Sequence, residues 1–149
     1  MNDELRELYQ DVIIEHSKRP RNYRALAAAR SAEGYNPLCG DTVTVYLALD
    51  GDVVTDVAFQ GHGCAISTAS ASVMTEILKG KTRAQAEEIF HRFHALVTGR
   101  AADADAPELG KLAVFAGVNE FPTRVKCATL CWHTARAALE GKEEPVSTE

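Results

Sequence analysis

Apolar residues near the start of the chain recur every three to four positions, which is the spacing of one face of an α-helix. The recurring positions are Leu5, Leu8, Tyr9, Val12 and Ile13. The pattern ends at Lys18-Arg19-Pro20, where the cations suit a helix C-terminus and the proline prevents continuation. The sequence therefore predicts an amphipathic first helix.

From Thr42 the apolar period changes to two, as expected of a half-buried β-strand. One face is predicted to carry Val43, Val45, Leu47 and Leu49, and the other Thr42, Thr44 and Tyr46. Asp50-Gly51 separates this run from a second alternating set, Val53, Val57 and Phe59. We interpret the two runs as a β-hairpin with Asp50 and Gly51 as its turn residues.

Helical signatures follow the predicted hairpin. A helix is predicted from Ala65 to Lys79, closed by Gly80. Thr82 and Gln85 form a capping-box signature, which predicts another helix that ends near Gly99.

Residues 101–107 are predicted to form a loop, followed by a helix over Glu108–Asn119. After Pro122, a last helix before Gly141 carries an apolar stripe of Val125, Ala128, Trp132, Ala135 and Leu139. The order of a helix, a hairpin and further helices predicts an α+β fold, in which a small antiparallel sheet with the hairpin at its core packs against several helices.

Length and charge narrow the classes of function. The 149 residues fit one domain, 1–149, with a polar tail from about residue 142. The net charge of −5 disfavours nucleic acid as a partner. We find no apolar run long enough for a membrane span and no signal-peptide pattern, so a cytoplasmic protein is expected. In that reducing compartment, four cysteines point to metal binding or reactivity before disulfides.

Three of the cysteines have local contexts suited to holding a thiolate against a metal. They are Cys39, Cys64 and Cys127, and Asp41 supplies a fourth candidate ligand. Tetrahedral zinc accepts cysteine sulfur and carboxylate oxygen together. The alternative is that the cysteines are buried small hydrophobes and that Asp41 caps a turn.

The predicted hairpin brings three of these ligands together. With Asp50 and Gly51 as the turn, Asp41 is predicted to face Gln60 and Cys39 to face His62. Cys64 then lies diagonally across from Cys39 at about 7–8 Å. Glycines 40, 61 and 63 permit a closer approach. Cys127 has to arrive through tertiary packing.

Other polar side chains near these motifs have less specific interpretations. Cys131 adjoins the apolar stripe and is interpreted as a packed core thiol. His91 and His94 are interpreted as solvated or partner-facing, and His62 as a residue that flanks the site. Two further cations, Arg124 and Lys126, either stabilise thiolates or are solvated.

Three segments resemble the signatures of the U-type iron-sulfur cluster assembly family, the IscU/SufU proteins, which are similar to the N-terminal domain of NifU. The segments are Asn36–Asp41, Phe59–Ser67 together with Ala69–Ser72, and Arg124–Leu130. Leu8–His16 and Pro20–Asn22 also resemble the family's first helix. The resemblance covers nearly the whole chain and implies a SufE/NifU-like fold.

Within that family, the scaffold branch typically carries a histidine immediately before the third cysteine, where this chain has Lys126. The long interval between Cys64 and Cys127 also resembles the SufU-like branch of zinc-dependent sulfurtransferases. By this resemblance, the site residues are Cys39, Asp41, Cys64 and Cys127 as zinc ligands, with Cys39 also the catalytic sulfur acceptor.

The resemblance implies a pyridoxal-phosphate cysteine desulfurase as the sulfur donor and downstream iron-sulfur assembly machinery as the recipient. We therefore expect a zinc-dependent sulfurtransferase that acts with the desulfurase rather than as a stand-alone enzyme. Two alternatives stay open. The same thiolates would also serve iron in a scaffold for a [2Fe-2S] cluster, or the metal would contribute only to folding.

Overall fold

The structure, a computed structural model, describes residues 3–27, 30–37, 40–99, 107–141 and 146–147. These residues form four α-helices: α1 Asp3–Lys18, α2 Ala65–Leu78, α3 Arg83–Val97 and α4 Pro122–Glu140. A 3₁₀ helix, η1, spans Pro107–Glu120. The strands are β1 Arg30–Asn36, β2 Asp41–Asp50, β3 Val53–His62 and β4 Val146–Ser147.

The strands form one sheet in the order β3-β2-β1-β4. The first three strands are antiparallel, and the short β4 pairs in parallel with β1. Helix α4 packs on β1 and β2, and α2 packs on β3. The largest fully buried side chains include Trp132, Phe93, Phe115, Leu47 and Met74. The predicted α+β class is confirmed. None of the described helices is long and apolar enough to cross a membrane.

The sequence did not predict β1. Its core-facing residues are Ala32, Gly34 and Asn36, which lack the alternating large apolar side chains that signal a strand. At Gly34 there is no room for a side chain, because α4 lies directly over this residue. A Cβ atom at Gly34 would overlap the Thr134 hydroxyl of α4.

The predicted register of the hairpin is wrong. Asp50 pairs with Val53, so the turn residues are Gly51 and Asp52, and Gly51 takes the positive φ of 60° that a primed turn requires at its first position. An irregularity between Ala48 and Leu49 shifts the register by one more residue. The following paired positions therefore differ from the prediction.

Two predicted pairs fail because of this shift. Thr44, not Asp41, faces Gln60, and Thr42, not Cys39, faces His62. The shift also changes which valine enters the core, since Val54 is fully buried and Val53 is 38% exposed.

The helical predictions agree better with the structure. Thr82 and Gln85 form both bonds of the capping box at the start of α3. Gly141 ends α4 in the left-handed conformation that a helix C-terminus favours. The segment predicted as Glu108–Asn119 is helical, but of the 3₁₀ type. Of the predicted loop, residues 101–106 lie outside the described residues, and part of the predicted polar tail forms β4.

Helix α1 and the segment after it attach to α2 through buried polar groups. The His16 ring, 1% exposed, lies with its Nδ1 atom 2.7 Å from the Ser72 hydroxyl. The Arg21 backbone N–H donates to the same hydroxyl at 2.8 Å, and the Asn22 amide donates to Thr75 Oγ1 at 3.0 Å. These contacts hold the N-terminal part of the chain against the central helix.

Candidate metal centre

Three of the four predicted ligands converge at one end of the sheet. Asp41 begins β2, Cys64 caps the N-terminus of α2, and Cys127 lies in the second turn of α4. One ligand atom from each of the three lies within 4.8 Å of the others. The fourth predicted ligand, Cys39, lies outside the described residues.

A hydrogen bond fixes Asp41 against Cys64. The Cys64 backbone N–H donates to Asp41 Oδ1 at 3.0 Å. Gly63 makes this approach feasible, because a Cβ atom there would lie 2.9 Å from the same oxygen and 3.0 Å from Ser67 Oγ. Asp41 therefore lies near Cys64 as predicted, although the strand register behind that prediction is wrong.

The Cys64 thiol lies at the start of a helix and is half-buried. Its Sγ atom accepts the Ser67 backbone N–H at 3.5 Å, as an N-cap oxygen would do. The free N–H groups and the dipole at a helix N-terminus favour negative charge at such a position. The local structure thus suits Cys64 to the role of a metal ligand.

Cys127 is fully buried and lies beside a cation. The pKa of the Arg124 guanidinium is raised, first by its hydrogen bond to Cys127 and then by the charges of Cys64 and Cys127. Of the two interpretations of Arg124, the structure therefore favours contact with the thiols. Arg124 and Cys127 are one helical turn apart, so their side chains share a face of α4.

One buried polar atom in the cluster lacks a partner. The Asp41 side chain is 1% exposed, and its Oδ2 atom has no hydrogen-bond partner among the described residues. A buried, unpaired carboxylate oxygen is costly. A cation beside it would supply the missing interaction, and two thiols with one carboxylate form a donor set that suits zinc or iron. The residues therefore fit a bound divalent metal ion.

The remaining candidates lie elsewhere. His62 is exposed and is not a member of the cluster, and His91 is exposed on α3. Cys131 is buried in the core, where burial raises the pKa of its thiol to about 12. A thiol of this kind is inert at neutral pH, which agrees with its interpretation as a packed core residue.

The burial of His16 was not predicted from the sequence. A signal was present, since position 16 continues the helical stripe formed by Tyr9, Val12 and Ile13. Because histidine is polar, position 16 was not counted as part of this apolar stripe. The histidine belongs to the α1–α2 contact and not to the metal cluster.

Known proteins resemble the chain over most of its length. Residues 8–128 match the family model of the NifU-like N terminal domain. Zinc-dependent sulfurtransferase SufU of Bacillus subtilis (strain 168) is 41% identical over 143 residues, which cover 96% of each chain. Iron-sulfur cluster assembly scaffold protein IscU of Streptococcus pyogenes serotype M1 is 39% identical over 91% of this chain and 85% of the relative.

The fold has a similarly close match among solved structures. The crystal structure of FiSufU from Fervidobacterium islandicum AW-1 superposes with a TM-score of 0.81 at 39% sequence identity. The match covers 89% of this chain and 97% of the other. The sequence and the fold are therefore both similar to those of NifU-like, IscU and SufU proteins.

Proposed function

The chain belongs to the family of NifU-like N-terminal domains, and we propose that it is a zinc-dependent sulfur acceptor that takes persulfide sulfur from a cysteine desulfurase for iron-sulfur cluster assembly. The convergence of Asp41, Cys64 and Cys127 around a buried, unpartnered carboxylate oxygen is the observation that supports this most. The name of the Bacillus subtilis relative, a zinc-dependent sulfurtransferase, supports the choice of activity.

The proposed ligands are Cys39, Asp41, Cys64 and Cys127. Zinc bound there would keep the thiols deprotonated at neutral pH and would store them as thiolates. The protein's own contribution is to fix the donors: the Cys64 amide orients Asp41, and Arg124 offsets part of the negative charge. Asp41 and Cys127 are buried, so both are suited to remain in place while a partner protein docks.

In the proposed transfer, the Cys39 thiolate attacks the outer sulfur of the persulfide on the desulfurase. A sulfur-sulfur bond forms at Cys39 as the one in the donor breaks, and the donor cysteine leaves as a thiolate. This is ordinary thiol-disulfide exchange chemistry, whose rate depends on the thiolate fraction and on access. No external oxidant or reductant is needed.

The test combines metal analysis with a desulfurase assay. Protein purified without added metal is expected to carry about one zinc per chain, as a four-ligand tetrahedral site requires, and to increase the turnover of a cysteine desulfurase. Protein that lacks zinc, or that leaves turnover unchanged, would contradict the proposal.

A pair of cysteine variants tests the acceptor. Cys39→Ser is expected to abolish sulfur uptake from the desulfurase, because it removes the attacking thiolate. Cys131→Ala is the matched control, since it removes a buried thiol that is protonated at neutral pH. Mass spectrometry of the persulfidated chain reports the result. Persulfide at normal yield in Cys39→Ser would refute the assignment of Cys39.

A scaffold function is the second candidate, favoured by the name of the Streptococcus pyogenes relative. The same thiolates would bind a [2Fe-2S] cluster. Lys126 argues against it, because the scaffold branch of the family typically carries a histidine at this position. Anaerobic incubation with ferrous iron and sulfide separates the two: a stable reddish-brown chromophore on the isolated chain favours the scaffold.

A further inference from the structure

The buried interface between α2 and α4 contains one hydroxyl that binds three groups on a single turn of α4. Ser70 Oγ donates to the Ala128 carbonyl at 2.6 Å and accepts from Trp132 Nε1 at 3.1 Å. The Cys131 thiol donates to the same oxygen at 3.5 Å. All four residues are at most 2% exposed. The donor and both lone pairs of the hydroxyl are therefore used.

The position of this hydroxyl relates it to the metal centre. Ser70 lies less than two turns from Cys64 along α2, and its acceptor Ala128 directly follows Cys127 on α4. Cys64 and Asp41 are already joined by their own hydrogen bond. The Ser70 network joins the two helices that carry the two thiols, and thereby constrains the remaining spacing within the cluster.

We propose that Ser70 is a positioning residue that sets the separation of Cys64 and Cys127, and through it the metal affinity and coordination geometry of the centre. The inference rests on the proposed metal site and goes beyond it by assigning a role to a residue that contacts no ligand atom. Groups outside the ligand set that orient the ligands commonly contribute about 10–100-fold to metal affinity.

Ser70→Ala tests this assignment. The variant leaves Trp132 Nε1 without its partner and releases the constraint between the helices, so zinc affinity is expected to fall about tenfold. Competition with a chromophoric zinc chelator measures the affinity. Cobalt(II) substitution gives a readout independent of activity, since its visible absorption bands are expected to weaken when tetrahedral geometry is relaxed.

Ser72→Ala is the matched control. It removes a fully buried hydroxyl from the same helix, but one that accepts the Arg21 N–H and contacts His16 on the α1 side. We expect it to lower the free energy of unfolding while leaving zinc affinity and the cobalt spectrum at wild-type values. Equal effects of the two variants on the metal centre would overturn the inference, because burial alone would then explain them.

A second variant keeps the proposal testable where Ser70→Ala does not fold. Trp132→Phe removes the bond from Nε1 to Ser70 while keeping an aromatic ring in the core, and is expected to change zinc affinity and the cobalt spectrum in the same direction by a smaller factor. Wild-type affinity and spectrum in a folded Ser70→Ala or Trp132→Phe would refute the positioning role. Such a result leaves the proposed function intact, because that function fails only where the wild-type chain lacks zinc or sulfur uptake.

Discussion

Helix α2 makes buried polar contacts on two sides, and the two sides differ in the groups they contain. Toward α4, Ser70 binds Ala128 and Trp132, which do not titrate, and Cys131, whose thiol pKa is raised by burial to about 12. Toward α1, Ser72 contacts His16, a titratable group whose pKa is lowered chiefly by burial.

Charged groups surround His16 on the α1 side. Burial is the main cause that lowers the pKa of His16, and the charges of Lys111 and Arg21 lower it further, against opposing effects of Glu76 and Glu15. The contacts that hold the metal-bearing helices together are thus insensitive to pH near neutrality, whereas the attachment of α1 depends on a neutral imidazole. The comparison indicates that a lower pH weakens the attachment of α1 but not the contacts between α2 and α4.

The largest effect is expected on the α4 side, where Cys127 and Cys131 lie one helical turn apart. Cys127→Ala removes a proposed ligand, so zinc affinity should fall by more than about 100-fold, beyond the usual cost of losing an outer partner. Cys131→Ala removes only the long 3.5 Å contact with Ser70, so zinc affinity should fall far less than in Cys127→Ala, and the free energy of unfolding should fall by about 1 kcal/mol through lost packing. Chelator competition and urea denaturation measure the two quantities.

The result is informative in both directions. Wild-type zinc affinity in Cys127→Ala would show that Cys127 is not a metal ligand. A large loss of zinc in Cys131→Ala would show that the core thiol does more than pack. Either outcome would contradict the different roles assigned to Cys127 and Cys131.

An intermediate effect is expected on the α1 side when the pH is lowered. The pKa of His16 is lower in the folded chain than in the unfolded one, so the unfolded chain binds more protons between these two values. The associated stability is complete above the unfolded pKa of about 6.5 and is lost as the pH falls through the folded pKa. We expect the metal-free chain to lose on the order of 1 kcal/mol between neutral and mildly acidic pH, comparable to one buried hydrogen bond.

His16→Gln should flatten this pH dependence. The curve keeps a remaining slope from His133, whose pKa is also lowered, first by burial and then by His94 and Arg136. The matched control is His91→Gln, which changes an exposed histidine on α3 and should retain the wild-type curve. Urea denaturation followed by fluorescence of the single tryptophan, Trp132, gives the unfolding free energy at each pH. An unchanged slope in His16→Gln would contradict the assigned role of His16.

The same comparison shows how far the sequence could predict the molecule. Amphipathic stripes and caps are local signals, so the bounds of α2, α3 and α4 could be predicted closely. Strand β1 could not, because its inward positions are small or polar to accommodate α4, and this requirement depends on a helix about 100 residues later. The hairpin register depended on which residue takes the positive φ, and that was Gly51 at the first turn position.

The candidate site was predicted better than the sheet that carries it. Asp41 and Cys64 are close because the Cys64 backbone N–H donates to the Asp41 carboxylate beside Gly63. This contact does not depend on the register assigned to the turn. Cys127 was identified by its motif, but its position beside Asp41 and Cys64 depends on how α4 packs, which could not be predicted from the sequence. The role of Ser70 could not be predicted either, since its three partners lie about 60 residues away.

The smallest expected effect concerns the permanent charge on the α4 side. Arg124 is hydrogen-bonded to Cys127 and interacts with the charge of Cys64. Arg124→Ala removes a positive charge beside the two proposed sulfur ligands, so zinc binding should weaken about two- to fivefold, a modest effect because water screens an exposed charge. The weakening should be greatest at low pH, where deprotonation limits metal binding. Zinc competition over a range of pH measures it.

Lys126→Ala is the control, because it removes the same charge two residues further along α4. Residues two apart on a helix point in different directions, so this variant should bind zinc nearly as the wild type does. Arg124→Lys separates charge from geometry: it keeps the cation but loses the planar fork of donors, and should recover part of the affinity. Equal zinc affinities for Arg124→Ala and Lys126→Ala would mean that the net charge of the region matters and the contact with Cys127 does not.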